Sequence, residues 1–372
     1  MLKTAIVRIS QLFVGGLFIF SGLVKMNDPV GFSFKLEEYF SEEVLNMPIF
    51  EPFALPISIL LVAVEVLLGL ALLLGLWKRM VLILLSAMIG FFTFLTFWSA
   101  YYNQVTDCGC FGDAIPLTPW ESFSKDVVLS ILILILWWGE KQIFDKVPKF
   151  ASILVMVIGL GFSILFTYQV MNHLPAKDFR PYAEGLSIIE GMKSAEELGL
   201  EPPRYEVIYT MQNETGSRKE IKSTVYISEK WWEKKEWTIV SELSKTIKVA
   251  EGYEPPVHDF GIMTERNNDI TDSILALDEV WLLVAYNHSK TSEKGWAHVM
   301  PTMENLATQG IPYIVLTASN ISDFAAYGVT EQMPFGFTDE TTLKTMVRSN
   351  PGWVILKEGT VIKKHHHNDS PK

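Results

Sequence analysis

Thr106-Asp107-Cys108-Gly109-Cys110-Phe111-Gly112-Asp113 holds both cysteines of a 372-residue chain, one residue apart, just beyond a hydrophobic segment. Everything before it reads as membrane. Most of the chain beyond it reads as a soluble domain on the same side of that membrane. Two cysteines cannot make a disulfide framework, but they are enough for one redox couple.

Composition supports this division. The chain is 49% hydrophobic yet carries a net charge of -11, and its mean hydropathy is +0.23. A lipid-embedded part joined to an acidic soluble part explains the combination. Residues 172–372 carry 21 Lys+Arg against 29 Asp+Glu. That acidic balance argues against nucleic acid as a partner.

Working back from the cysteines, five apolar stretches approach the ~20 residues a span needs. They are about Thr4–Lys25, Phe53–Trp77, Met80–Tyr101, Ser122–Trp138 and Phe150–Met171. The fourth has the shortest uninterrupted apolar run. The first lacks a small-residue cleavage site and runs directly into further spans, so it reads as a retained helix. Lys3 and Arg8, then Lys78 and Arg79, then Lys141, Lys146 and Lys149 fall at alternate ends. All three groups then face the cytoplasm. The acidic connection 27–51, the cysteine loop and everything after Met171 face outward, where disulfides persist. The expected location is the cytoplasmic (inner) membrane, multi-pass, with the C-terminal domain periplasmic or extracytoplasmic.

Phe32–Phe40 alternates apolar and charged residues, as an interfacial helix would; a substrate gate is the alternative. Glu65 sits mid-span and Lys25 near the outer end of the first span. A charge in hydrocarbon costs ~3 kcal/mol or more, so Glu65 needs a partner or a function. Lys25 and Ser21 are the candidates.

Two thiols at i and i+2 close only a tight ring, and strain makes a disulfide a better oxidant. Asp107 and Asp113 raise thiol pKa values if close. Gly109 and Gly112 permit tight turns. Phe111, Trp98, Tyr101, Tyr102 and Trp120 supply aromatics that form either an interfacial belt or the wall of a quinone pocket. Zinc is disfavoured, since no histidine lies nearby. The competing reading is a structural loop.

Up to about Trp138 the chain resembles the DoxX/MauE membrane-protein family. The resemblance rests on Ser21-Gly22-Leu23-Val24-Lys25, Asn27-Asp28-Pro29, the Glu65 span ending in Gly75, and the cysteine loop with Phe111-Gly112. It implies a membrane α-helical bundle of four helices, with a fifth helix here as an addition. MauE-like members are associated with disulfide formation in exported proteins, and DoxX-like members with quinone-linked sulfur oxidation. On that resemblance Cys108 and Cys110 are the redox pair, with Lys25, Glu65 and Asp113 as polar or substrate-lining groups.

Asn172–Pro203 reads as a polar connector, with Glu190–Leu200 helical. Tyr205–Thr210 and Thr224–Ser228 read as strands around a turn at 214–217. Trp231, Trp232 and Trp237 fit either a small core or a partner surface. From about Tyr253 strands and helices alternate, an α/β order. This part resembles the thioredoxin fold, especially membrane-anchored TlpA-like members. The resemblance rests on Val280-Trp-Leu-Leu-Val-Ala-Tyr286, on a following loop and helix, and on Pro351 placed where the family has its cis-proline. Ser289-Lys290-Thr291-Ser292 stands where the family has CxxC. Hydroxyls cannot exchange disulfides, so this extracytoplasmic domain is expected to be redox-silent. His288 in the loop is a minor catalytic candidate, His365–His367 are assigned no role, and no metal site is expected.

The expected organisation is a membrane domain over 1–148, a fifth helix over 149–171, a connector and small β region over 172–252, and a thioredoxin-like domain over 253–372. The expected function is membrane thiol-disulfide exchange with an exported protein partner, electrons leaving to a quinone or other acceptor. Two alternatives stand. One is a scaffold whose α/β domain is a docking module, and the other is solute transport, weakened by the lack of inverted repeats.

Overall fold

The computed structural model describes all residues except 103–104, 106–108, 110, 329–332 and 372. Cys108, Cys110 and Asp107 therefore lie outside the described residues.

Five long helices build the N-terminal half. They are α1 (Leu2–Asn27), α3 (Ala54–Leu74), α4 (Lys78–Tyr102), α5 (Pro119–Trp138) and α6 (Lys149–Asn172), with a shorter α2 (Pro29–Phe40) after α1. Among the described residues four segments are long and apolar enough to cross a membrane: Leu2–Asn27, Pro48–Leu74, Lys78–Tyr102 and Lys149–Asn172. Helix α5 falls short because Glu121, Lys125 and Asp126 occupy its first turns.

Helices α1, α3, α4 and α5 share one core, with Val14, Phe18, Leu72, Leu82, Leu85, Ile133 and Leu136 almost fully buried. Small residues let α1 and α3 pack closely. A Cβ at Gly69 would lie 2.8 Å from the Gly15 carbonyl oxygen, and one at Gly22 would lie 2.6 Å from Val66. At one end of the bundle the Gln11 side chain holds the α3 terminus, donating to the Leu72 carbonyl at 2.7 Å and accepting from the Phe144 N–H at 2.8 Å. Helix α6 buries only Ser152, Ser163, Thr167 and Val170. Ile153, Val157, Ile158, Ile164 and Leu165 are exposed. That is how an added peripheral helix meets lipid.

The C-terminal half adds α7 (Ile188–Met192), β1 (Arg204–Asn213), β2 (Arg218–Lys222), α8 (Ser223–Ser228), β3 (Trp237–Ile239), β4 (Lys245–Ala250), α9 (Thr271–Leu275), β5 (Val280–Val284), α10 (Glu293–Gln309), β6 (Tyr313–Thr317), β7 (Phe335–Phe337), α11 (Glu340–Met346), β8 (Gly352–Lys357) and β9 (Thr360–His366). By compactness the chain forms two units, residues 1–185 with 261–372, and residues 186–260.

In the smaller unit β1 pairs antiparallel with β2, β3 and β4. Its core gathers Met211, Ile221 and Trp231, with Trp237 packed against it, while Trp232 is exposed. The expected strand at 224–228 is a helix. The partner of β1 comes earlier, because the turn closes from Asn213 to Ser217 and pairing is complete by Lys222. The expected helix at 190–200 is shorter, ending at Met192.

The larger sheet runs β7-β6-β5-β8-β9. The first three strands are parallel and the last two antiparallel. Helix α10 crosses from β5 to β6, burying Trp296, Val299 and Met303 against Leu283, Val315 and Trp353. Glu358 and Gly359, both at positive φ, form the two-residue turn of the β8–β9 hairpin. The Asn350–Pro351 bond is cis. This α/β arrangement is consistent with a thioredoxin-like domain.

Candidate functional site

Helix α2 joins the bundle to the α/β domain. Asp28 caps it, accepting from the Gly31 N–H at 2.8 Å, and Pro29 occupies its first turn. One face buries Phe32, Leu36 and Phe40 against Val62 and Val66 of α3. On the other, the Phe34 ring meets Tyr286 edge-on at 6.3 Å, and Lys344 and Arg348 lie over it at 4.8 and 5.3 Å. Lys290 pairs with Glu37 at 3.0 Å. The alternating pattern that suggested a helix lying on the membrane serves here to contact two domains at once.

The centre of the junction is Arg348, whose side chain is 8% exposed. Its Nε donates to Asp28 Oδ2 at 2.8 Å, and Nη2 lies 3.6 Å from Asp113 Oδ2, just past the cysteine stretch. Nη1 donates to the Lys344 carbonyl. The connector after α6 is fastened to the same place. Asn27 donates to the Lys177 carbonyl at 2.7 Å and accepts the Lys177 N–H at 3.0 Å. Asp178 pairs with Arg180 at 2.8 Å and with Lys364 on β9. Arg180 also donates to the Thr345 carbonyl at 2.9 Å. Burial alone would raise the carboxyls of Asp28 and Asp178, but the neighbouring cations outweigh it and hold both below the usual range. For Lys364, burial and the nearby Arg180 outweigh Asp178, and its ammonium is lowered to about 8.

The described neighbours of the cysteines are Gly109 and Phe111. Gly109 has φ +65°, a conformation that favours glycine. A Cβ there would lie 3.3 Å from the Lys35 side chain and 3.8 Å from Phe32, both on α2. Val105 is fully buried beside Tyr39 and Leu95. Phe111 is buried, its ring 5.7 Å from Phe20, with the Lys125 ammonium 5.1 Å above it.

Beneath Phe111 the bundle encloses charge. Lys25 and Glu65 are 3% and 4% exposed, and Lys25 Nζ lies 2.6 Å from Glu65 Oε2. That approach is off the hydrogen-bonding axis, and Glu65 Oε2 has no hydrogen-bond donor among the described residues. Lys25 also faces the rings of Phe92 and Phe32 at 4.8 and 5.4 Å. On α5, Asp126 is fully buried, pairs with Lys125 at 2.6 Å and accepts from Thr96 at 3.1 Å. A cavity of about 20 Å³ lies among Ser21, Lys25, Glu65, Phe111, Lys125 and Asp126.

In the α/β domain the hydroxyls of residues 289–292 brace the loop and the start of α10. Ser289 donates to Asn287 Oδ1 at 2.7 Å. Ser292 caps α10, accepting from the Gly295 N–H at 3.0 Å, and its own N–H donates to the Asn350 carbonyl at 3.2 Å, one residue before Pro351. His288 packs against the Phe324 and Tyr327 rings. His366 and His367 are held below the usual imidazole range by burial, His366 at about 3. No cluster fit to hold a metal occurs among the described residues.

The structure thus joins Lys25 to Glu65 and sets Asp113 beside Arg348. Sequence reasoning missed Lys125 and Asp126, although two adjacent charges shortening the α5 apolar run were a visible sign. It also missed Arg348, Arg180, Asp178 and Lys364, which nothing local distinguishes. The aromatics near the loop pack on one another, Trp98 with Tyr102 at 4.4 Å and Phe97 with Tyr101 at 5.6 Å. Phe97, Tyr101, Tyr102 and Trp120 remain exposed.

Residues 3–139 match the model of the family described as methylamine utilisation protein MauE. Protein TlpB of Flavobacterium psychrophilum is 27% identical over 141 residues, 37% of this chain and 37% of that protein. The chain therefore matches well under half the length of this curated relative. No solved structure matches the chain. This multi-pass membrane protein carries a MauE membrane domain in its first 140 or so residues, followed by an α/β domain compatible with a thioredoxin-like fold.

Proposed function

We propose that the protein is a membrane thiol-disulfide redox component whose reacting groups are Cys108 and Cys110. A thiolate of an exported protein attacks the Cys108–Cys110 disulfide, and one ring sulfur leaves as a thiolate. The partner's second thiolate then attacks the mixed disulfide. The partner gains a disulfide, and the pair is left as two thiols. A quinone or another acceptor then takes two electrons and two protons from the thiols, and their removal restores the disulfide. The cavity of about 20 Å³ beside Lys25 and Glu65 is too small for a quinone ring. The exposed rings of Phe97, Tyr101 and Trp120 offer a flat acceptor apolar contact from the lipid side.

The observation that carries this reading is the company kept by Gly109, Phe111 and Asp113. They touch α2, the charged interior of the bundle and Arg348 of the α/β domain. The α/β domain has no thiol of its own, so its role is to bind or present the partner beside the cysteines. Both the cysteines and this domain belong to the extracytoplasmic side in this reading. Replacing Cys110 by Ser is expected to trap a mixed disulfide through Cys108, seen by non-reducing electrophoresis and mass spectrometry. Absence of any such adduct in cells overturns it.

The scaffold reading has one observation in its favour. The hydroxyls that replace the thioredoxin thiols cap helices and brace loops, as structural groups do. Under that reading a Cys108→Ser/Cys110→Ser double variant retains function in cells.

A further inference from the structure

One carboxylate stands close to the cysteines by covalent connection alone. Asp113 follows Cys110 by three residues, at most ~11 Å of chain. The Gly112 N–H donates to the Gly109 carbonyl at 3.2 Å, and the Ala114 N–H to the Phe111 carbonyl at 3.3 Å. The first bond closes a turn, which keeps Gly109 within ~7 Å of Gly112. Gly109 is bonded to both cysteines. A carboxylate at that range opposes the thiolate form, since the Debye length is ~8–10 Å. The cations around the stretch are not equivalent. Lys35 of α2 lies beside Gly109 and pairs with Glu38 at 3.3 Å. Lys125 of α5 lies over Phe111 and pairs with Asp126 at 2.6 Å. Among the described residues Arg348 is the cation that reaches Asp113 itself, Nη2 to Oδ2 at 3.6 Å.

We infer that Arg348 is a positioning residue for the cysteine pair: it draws Asp113 toward the α/β domain and offsets its charge, so that the thiols ionise readily. The guanidinium is fixed from three sides. Asp28 accepts from Nε at 2.8 Å, and the Lys344 carbonyl accepts from Nη1. A Cβ on Gly31 would come within 2.7 Å of Nη2, so glycine there leaves the guanidinium its room. Other charges nearby have partners of their own: Lys344 pairs with Glu340, Lys290 with Glu37, and Arg180 with Asp178. Asp28 and Asp113 share one guanidinium, and without it two carboxylates remain beside the stretch. The α/β domain, which has no thiol of its own, thus acts on the thiols of the membrane domain through one side chain. The thiolate is the form that exchanges. This inference deepens the redox reading of Cys108 and Cys110 and rests on it.

The test is the pH profile of alkylation of the full chain in lipid nanodiscs, after reduction and removal of the reductant. Mass spectrometry reads the rate at Cys108 and at Cys110 from about pH 5 to about pH 10. Arg348→Met should move the profile to higher pH and slow alkylation near neutral pH by ~3–10-fold, the effect of one unit charge several ångströms away. Arg348→Met/Asp113→Asn should recover the rate to within ~2-fold, and Arg348→Lys should stay near the unaltered protein. The double variant docks as loosely as the single one, so recovery separates the charge from the loss of docking. If Arg348→Met fails to fold, Asp113→Asn alone keeps the Arg348–Asp28 pair and should move the profile to lower pH. An unshifted profile in either single variant, or a shift in Arg348→Met that Asp113→Asn does not reverse, overturns the inference. The two readings fail separately. An unshifted profile with a Cys110→Ser adduct overturns the role of Arg348 and leaves the redox reading standing. A shifted profile with no adduct in cells supports the charge effect and overturns the redox reading. Thiols that resist alkylation at every pH overturn both.

Discussion

Arg348 Nε donates to Asp28 Oδ2 at 2.8 Å, joining the residue three before the cis-proline to the N-cap of α2. One guanidinium thereby ties the α/β domain to the helix that closes the bundle. Replacing Arg348 by Met strands Asp28 and leaves a largely buried carboxylate without its main partner. The expected loss is ~3–5 kcal/mol of docking stability, the usual cost of breaking a buried pair from one side. Hydrogen exchange in nanodiscs should show α2 and α11 opening together. Gly31→Ala should act in the same direction, since a Cβ there lies 2.7 Å from Arg348 Nη2 and 2.5 Å from Asp28 Oδ2.

The Lys25–Glu65 pair gives a second prediction. Lys25→Met leaves Glu65 buried without its cation and should destabilise the bundle by ~3–5 kcal/mol. A Lys25→Met/Glu65→Leu double variant should recover most of that loss, because two apolar side chains replace two desolvated charges. Reversible unfolding in mixed micelles measures both. A silent single variant contradicts the buried pairing.

How much of this was readable from the residues varies with the range of the cause. Glu65 announced itself, since a carboxylate among Val62–Leu68 needs a partner or a function; Lys25 and Ser21 were the candidates, and Lys25 lies against it. The α/β order followed from Val280–Val284, the hairpin at Glu358-Gly359 and the position of Pro351, all local patterns. The β1 partner was misplaced because Thr224–Ser228 has β-branched residues, yet the ladder to β1 is already complete at Lys222 and the chain turns helical. Arg348 and Arg180 could not be foreseen. Arg348 reaches Asp28, 320 residues away, and Arg180 reaches the Thr345 carbonyl, 165 away, while the Asp178–Arg180 pair is local.

Asp178 serves two cations, Arg180 and Lys364. Asp178→Asn should therefore cost more than Lys364→Met. The first leaves two buried cations facing each other, at ~3–5 kcal/mol. The second leaves the Asp178–Arg180 pair intact and removes a group whose burial already disfavours its charge. Thermal unfolding at pH 7 should rank the two in that order.

The same groups set a pH dependence at the two ends of the scale. Asp28 and Asp178 are held below their ordinary value of 3.8. They contribute stability above that value, and it is lost as pH falls through their lowered folded values. Lys364 is lowered from 10.5 to about 8. Between those two values the unfolded chain binds the extra proton and the folded one does not, so its contribution makes stability rise with pH across that window. Lys364→Met should remove the rise, which denaturant titrations from about pH 7.5 to about pH 10.5 can measure.

The most direct measurement is the redox state of Cys108 and Cys110 in living cells, read by acid quench and mass-tagging alkylation. The account predicts that the pair is mainly disulfide-bonded in respiring cells and gains two free thiols when quinone synthesis is blocked and other electron acceptors are withheld together. A pair that stays in one state under both conditions contradicts it.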